Sequence, residues 1–457
     1  MANSPVSLKA RVLSASSWTL AGYGSALILR LLGNLVISRL LAPEVFGIMA
    51  VCSAIHIVVT LTGDIGLRPA VVRSENGHDP IFLNTAWTVQ TLRGLSIWIT
   101  CVLAAIALHI LNLYGALTQG SVYSNSSLPF LIAATSFATV IQSFQSMKVI
   151  SMGRGLDLRK ITIIDLIQVV VGSSVAIFMA WETRSIWSFV ASALVGSVVG
   201  VVLGHFWLPG VRDRFAWDRK ALEELFHFGK WSSLSSFVGV LAANGDRLLL
   251  GGWLSTTSLG YYSIASNLSS VVDGVGSRVF GSVSLPALSE IVRNQPERLA
   301  EVSFRMRRGA DALYVGSAGF IFATGQTIIA SLYDARYLAA GHMLQLLSFG
   351  LLFARYGLAQ DVYIALGKPN YLTAINATKL VSLFVLVPLM FHLLGSDGAI
   401  LGMAIYLLPT VPLIFWLNHR HGLNNFKFEL LMLGMWPGGW LVGKMAISAL
   451  QLVRSFT

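Results

Sequence analysis

Runs of about twenty apolar residues, each ended by a short polar break, recur along almost the whole chain. A segment of this length is what an α-helix needs to cross the hydrocarbon core of a bilayer, where the backbone must satisfy its own hydrogen bonds. Such segments fall at 12–38, 44–66, 84–111, 128–150, 161–181 and 185–208. After a polar stretch from Val211 to Lys230 they resume at 231–254, 258–284, 310–333, 340–366, 371–394 and 397–418. A last run, 430–453, carries Pro437, Gly438 and Gly439 near its start and reads either as an extra helix or as a re-entrant piece. The expected fold class is an all-α membrane protein of two six-helix transmembrane bundles, 1–209 and 231–425. A cytoplasmic linker, 210–230, joins them, and 426–457 forms one possible extra C-terminal helix.

Charge supports the same reading. Only 12% of the 457 residues are charged and 55% are hydrophobic, whereas soluble domains carry roughly a quarter charged residues. The net charge of +11 does not point to nucleic acid, because the basic residues come in pulses between apolar runs rather than on one face. On the six-plus-six map one side holds Lys9, Arg11, Arg68, Arg73, Lys148, Arg154, Arg159, Lys160, Arg212, Arg214, Arg219 and Lys220 in the first half. It continues with Arg293, Arg298, Arg305, Arg307, Arg308, Lys368, Arg420 and Lys427. The other side holds Arg39, Arg184 and Arg336. Basic loops stay in the cytoplasm, so the expectation is a multi-pass membrane protein with a cytoplasmic N-terminus. The first run, too long for a signal peptide and containing Arg30, reads as a retained helix. Cys52 and Cys101 sit inside apolar runs as small hydrophobes.

The two halves resemble each other. Leu41-Ala-Pro-Glu-Val-Phe-Gly47 and Leu254-Ser-Thr-Thr-Ser-Leu-Gly260 each open the second helix of a half, and Trp18 matches Trp231 at the same offset. Six intervening helices return the chain to the same side, which predicts two parallel bundles related by an axis along the membrane normal, with a cleft between them as the transport path.

These residues also carry a family resemblance. Arg39-Leu-Leu-Ala-Pro-Glu-Val-Phe-Gly47 resembles the opening signature of bacterial polysaccharide transporters, the oligosaccharide flippases of the multidrug/oligosaccharidyl-lipid/polysaccharide exporter superfamily. Thr85 through Gly94 and Gly245 through Ala265 are similar to that family's third-helix entry and second-bundle start, with Val45 standing where the family often has Asp. The resemblance implies a non-enzymatic carrier that moves undecaprenyl-diphosphate-linked repeat units from the cytoplasmic to the periplasmic leaflet. It also implies glycosyltransferases and a polysaccharide polymerase as partners beside the lipid-linked cargo and membrane lipid.

An ionisable residue inside a span costs several kcal/mol and is a functional candidate by default. Here these are Arg30, Arg93, Arg247, Arg278, Arg355 and Lys379, with Asp64, Asp165, Asp246, Asp273 and Asp361. Tyr23, Arg30, Asn34 and Ser38 follow helical spacing as one polar stripe. Guanidinium groups stay charged and bind phosphate oxygens in pairs, so Arg30, Arg247 and Arg278, then Arg93 and Arg355, with Asn34, are the expected diphosphate contacts. The alternative role is structural: Asp361 lies within two turns of Arg355, and Asp273 near Arg278. Asp64, Asp246 and Asp273 are the candidates for ion coupling.

No cofactor is expected. Gly438 through Met445 nearly matches a phosphate-binding loop, but Met445 replaces its metal-binding hydroxyl and no strand precedes it. His419 and His421 lack metal spacing. A cation exporter of the same superfamily would favour acidic residues in its cleft. A membrane-embedded polysaccharide enzyme would need a large charged outer loop, whereas the longest outer loop, 112–127, has no charge. A scaffold would have no use for intramembrane charge. Gly196, Gly200 and Gly204 mark a close helix contact, and Pro388, Pro409 and Pro412 mark bends.

Overall fold

Lipid offers a backbone no hydrogen-bond partner, and each apolar run of the chain accordingly folds into helix. The computed structural model describes residues 8–62, 66–154 and 157–456. Among these residues there is no β-strand. Two compact units, Met1–Val240 and Leu241–Thr457, divide the chain.

Unit 1 holds α1 (Leu8–Leu40), α2 (Pro43–Thr62), the short α3 (Leu67–Arg73), α4 (Pro80–Leu113), α5 (Leu128–Ser143), α6 (Lys148–Arg154), α7 (Arg159–Thr183), α8 (Trp187–Phe206) and the start of α9 (Arg219–Gly251). Six crossings are long and apolar enough here: α1, α2, α4, α7, α8, and the α5/α6 pair, which is bent by 65°. The bend leaves carbonyls that no helix satisfies, and neighbours supply the donors. Gln90 Nε2 donates to Ser143 O and Gln145 O at 2.9 Å each, and His205 Nε2 donates to Phe144 O at 2.7 Å. Asp213 closes the other side, accepting from Ser146 Oγ and from the Met147 amide at 3.0 Å. Gly196, Gly200 and Gly204 do pack closely, against Gln168 of α7 and Gln145 of the bend.

The polar stretch after α8 is extended only to Asp218. It is pinned along α4, where the amides of Arg214, Ala216 and Asp218 donate to Asn84, Thr88 and Thr85 side-chain oxygens at 3.0–3.2 Å. From Arg219 it is already helix, and the division after Val240 falls inside α9, beyond the linker expected at 210–230.

Unit 2 continues with α10 (Thr256–Asn294), α11 (Leu299–Leu332), the broken run α12 (Ala339–Ser348), α13 (Leu351–Ala354) and α14 (Gly357–Ala365), then α15 (Pro369–Ile405), α16 (Thr410–His419), α17 (Phe426–Leu433) and α18 (Met435–Phe456). Residues Asn370–His419 form one apolar stretch of 50 residues. At 1.5 Å per residue that is roughly 75 Å of helix, more than twice a bilayer core, so it must turn back. It does so at Gly395, whose φ of 66° and ψ of −143° no L side chain adopts comfortably. α10 is less apolar than α11 and α15, carrying serine, asparagine and aspartate along its length, and the α12–α14 run is cut into short pieces.

The last run begins in the final turn of α17 and, from Met435 on, is one helix, α18, with Pro437 in its first turn, where the missing amide costs nothing. Its glycines serve packing rather than a break: Gly439 lies against Gly316 and Gly443 against Ala323, both on α11.

Two basic residues on the sparse side of the charge map are committed locally. Arg184 Nη1 donates to Leu40 O at 3.1 Å, capping the end of α1, and Arg336 pairs with Asp334 at 2.9 Å.

Candidate functional site

In unit 1 the polar stripe of α1 lies beside α7. Gly22 meets Thr162 and Gly33 meets Ser173, so the two helices run parallel in register, and Arg159 stacks over Trp18 at 5.3 Å. Arg30 is exposed on this seam and makes no hydrogen bond or ion pair among the described residues; Asn34 lies one turn on, half-buried. Arg93 has a different position. Its Nη2 donates at 3.1 Å to Thr60 O in the last turn of α2. Asp64 lies outside the described residues.

In unit 2 the expected residues of α9 and α10 gather at one place. Asp246 is buried, its Oδ2 accepting from Tyr262 Oη at 2.6 Å while Oδ1 has no partner. Beside it Arg247 Nη2 reaches Asn267 Oδ1 at 3.5 Å, a long contact, and its Nε is unsatisfied. Asp273 is exposed and accepts from Tyr314 Oη at 3.0 Å, and its charge also acts on Lys379 of α15 and on Tyr406. Arg278 is exposed on α10, one turn beyond Asp273.

Arg355 stands apart from both groups. It is 2% exposed, and its guanidinium contacts Glu429 Oε2 at 2.8 Å and Asp311 Oδ2 at 3.4 Å. Arg307 joins the same acids, at 2.7 Å to Glu429 Oε1 and 3.3 Å to Asp311 Oδ2, and Tyr356 Oη donates to Glu429 at 3.0 Å. Both arginines also lie over the Tyr356 ring. Two positive and two negative charges therefore close on themselves, leaving Arg355 no face toward a cargo. Asp361, the acid nearest to it in sequence, instead accepts from Ser284 of α10.

The structure adds two residues to the site of unit 1. Arg68, on α3, and Asp165, on α7, are both exposed, and the charges of Arg68 and Arg30 both act on Asp165. Arg68 was legible only as a loop charge, because a short helix between α2 and α4 leaves no periodic signal in the sequence.

Chemically, the described residues offer exposed guanidinium groups in spans, hydroxyl and amide partners, and one buried carboxylate with an unused oxygen. They hold no group of three or more His, Cys, Asp or Glu residues placed for a metal ion. The set suits binding of an anionic, polar headgroup.

The chain is 23% identical over 296 residues to the lipopolysaccharide biosynthesis protein WzxC of Escherichia coli strain K12, covering 63% of this chain and 56% of that protein. It is 20% identical over 268 residues to the succinoglycan biosynthesis transport protein ExoT of Rhizobium meliloti strain 1021, covering 58% and 51%. The chain thus spans little more than half the length of these relatives. Among solved structures, the lipid II flippase MurJ in an inward closed conformation superposes with a TM-score of 0.68 at 15% identity, over 96% of this chain and 99% of that one. An inward-facing multidrug resistance MATE transporter gives 0.64 at 15% identity, over 93% and 95%. These likenesses show the fold. A family model described as polysaccharide biosynthesis protein matches residues 36–342, two thirds of the chain, and the protein therefore belongs to the polysaccharide biosynthesis protein family.

Proposed function

We propose that the protein is a flippase that carries a polyprenyl-diphosphate-linked oligosaccharide from the cytoplasmic to the periplasmic leaflet of the bacterial inner membrane by alternating access. The observation that carries this reading is Arg30: an arginine on a spanning helix, exposed, with no hydrogen bond or ion pair among the described residues. A guanidinium held in that way costs free energy unless an anionic ligand meets it, and a diphosphate offers the paired oxygens it prefers. Family membership and the relatives' roles in lipopolysaccharide and succinoglycan production support the sugar part of the cargo. Arg247 and Arg278 with Asn34 are the further contacts, and Arg93 keeps a secondary place because it already holds α2. Asp246, with one buried oxygen unsatisfied, is the first candidate for ion coupling, with Asp273 second. The basic loops support a cytoplasmic N-terminus. Glycosyltransferases that build the cargo and a polymerase that consumes it are the partners this role requires.

The test is flipping of a fluorescent polyprenyl-diphosphate oligosaccharide in proteoliposomes. Arg30→Ala is expected to lower the rate about tenfold, the 1.4 kcal/mol scale of one charge-assisted contact, with Arg30→Lys between it and the natural protein. Normal export by both variants at normal membrane levels would remove Arg30 from the cargo path. Undiminished surface polysaccharide in a deletion strain without a second transporter would end the flippase reading itself.

A further inference from the structure

The charges of this protein fall into two kinds. Arg307, Asp311, Arg355 and Glu429 are buried and joined by direct contacts of 2.7–3.4 Å. Arg30, Arg68 and Asp165 are exposed, and no hydrogen bond or ion pair joins them to one another or to any other described residue. Yet they are neighbours. The parallel register of α1 and α7, with Gly22 on Thr162 and Gly33 on Ser173, sets Asp165 about one turn beyond the first contact and Arg30 about one turn before the second. Side chains on a helix slope toward its N-terminus, so Arg30 reaches back along the seam toward the level of Asp165. Arg68 approaches from α3, beside Gly153 of α6. A carboxylate therefore stands loosely before two exposed guanidinium groups, close enough to feel their charge and not close enough to bind them.

We propose that Asp165 is a built-in competitor for the cargo's diphosphate: it balances Arg30 and Arg68 between cargoes, yields them when the headgroup enters, and helps to expel the headgroup afterwards. The proposal deepens the flippase reading and rests on it. The physical need is plain. Two arginines without a counter-charge hold a diphosphate too long, and a carrier turns over only if its cargo can leave. A fixed carboxylate raises the free energy of the bound diphosphate by repulsion and lowers that of the unloaded site by attraction, and both effects speed release. A direct salt bridge would instead close the site, as it does around Arg355. The loose geometry keeps the arginines available. Arg68 becomes, on this view, a cargo contact equal in rank to Arg30.

The experiment measures binding of undecaprenyl diphosphate, with undecaprenol as the uncharged control, to the full-length protein in detergent. For Asp165→Asn the Kd for undecaprenyl diphosphate is expected to fall about threefold to tenfold, the range for a partly screened pair plus relief of repulsion. Undecaprenol binding should not move. In an Arg30→Ala, Arg68→Ala background the gain from Asp165→Asn should vanish, because the competitor then has nothing to compete for. At saturating cargo the same variant should flip more slowly in proteoliposomes, since release becomes limiting. Asp165→Ala serves as the second variant, and melting temperatures show that both fold. If the natural protein binds undecaprenyl diphosphate better than undecaprenol but Asp165→Asn leaves Kd unchanged or raises it, the competitor role is overturned and the flippase reading stands. If the natural protein does not distinguish the two lipids, the diphosphate reading fails, and this proposal fails with it.

Discussion

Replacing Glu429 by alanine is expected to cost about 3–5 kcal/mol of stability, the price of stranding buried charge, and to sharply reduce the amount of folded protein in the membrane. Glu429 is 8% exposed and faces Arg355, Arg307 and Tyr356 together. With it gone, two buried guanidinium groups share Asp311 alone. Glu429→Gln keeps the oxygen that accepts from Tyr356 and loses the charge, so it should fall between. The informative variant is the pair Arg355→Met with Glu429→Leu. It removes one charge of each sign and leaves Arg307 and Asp311, 3.3 Å apart, as a balanced pair. A hydrophobic replacement of a buried ion pair is commonly neutral or stabilising, so the double variant should melt near the natural protein while each single variant melts well below it. Thermal unfolding in detergent, read by tryptophan fluorescence, decides. Single and double variants melting alike would mean that the network is not a closed charge balance.

That network also shows where sequence reading stops. The helical segments were legible because apolar length is a local property. Two of the three exceptions to the charge bias, Arg184 and Arg336, resolve into a helix cap and a neighbouring acid without disturbing the pattern. Partners of buried charges are not local. Arg355 finds Asp311 and Glu429 on α11 and α17, and nothing in the spacing of a single chain points there; the sequence neighbour Asp361 serves Ser284 instead. The same limit explains Asp165. It was visible as an intramembrane acid, but its relation to Arg30 depends on the register of α1 on α7, and its relation to Arg68 on a short helix that no periodicity reveals. A proline and two glycines at the start of the last run suggested a break equally with a helix, because the deciding fact is what packs against them.

What packs against them is α11, and Gly439→Leu is therefore expected to be among the most damaging substitutions in the C-terminal segment. A Cβ at Gly439 would overlap the backbone carbonyl of Gly316, and one at Gly319 would overlap that of Trp436. Backbone cannot give way as a side chain can, so the helices must separate along the seam. Separation also pulls Trp436 from its contacts with Phe322 and Phe349 and removes the packing that small residues provide within lipid, where no hydrophobic force compensates. The expected loss is about 3 kcal/mol, the upper end for overpacking, with Gly439→Ala already clearly destabilised. Gly438 is the internal control, because a Cβ there meets nothing within 4 Å and the residue next door shares its helix, depth and propensity. Gly438→Ala should melt as the natural protein does or slightly higher, since alanine favours helix. Equal melting temperatures for Gly438→Ala and Gly439→Ala would deny the tight seam. If Gly439→Leu loses stability and the Glu429 variants do as well, α17 and α18 are held to α11 by two independent devices, a charge lock near one end and a glycine contact along the other. Since the sites are separate, their effects should then add.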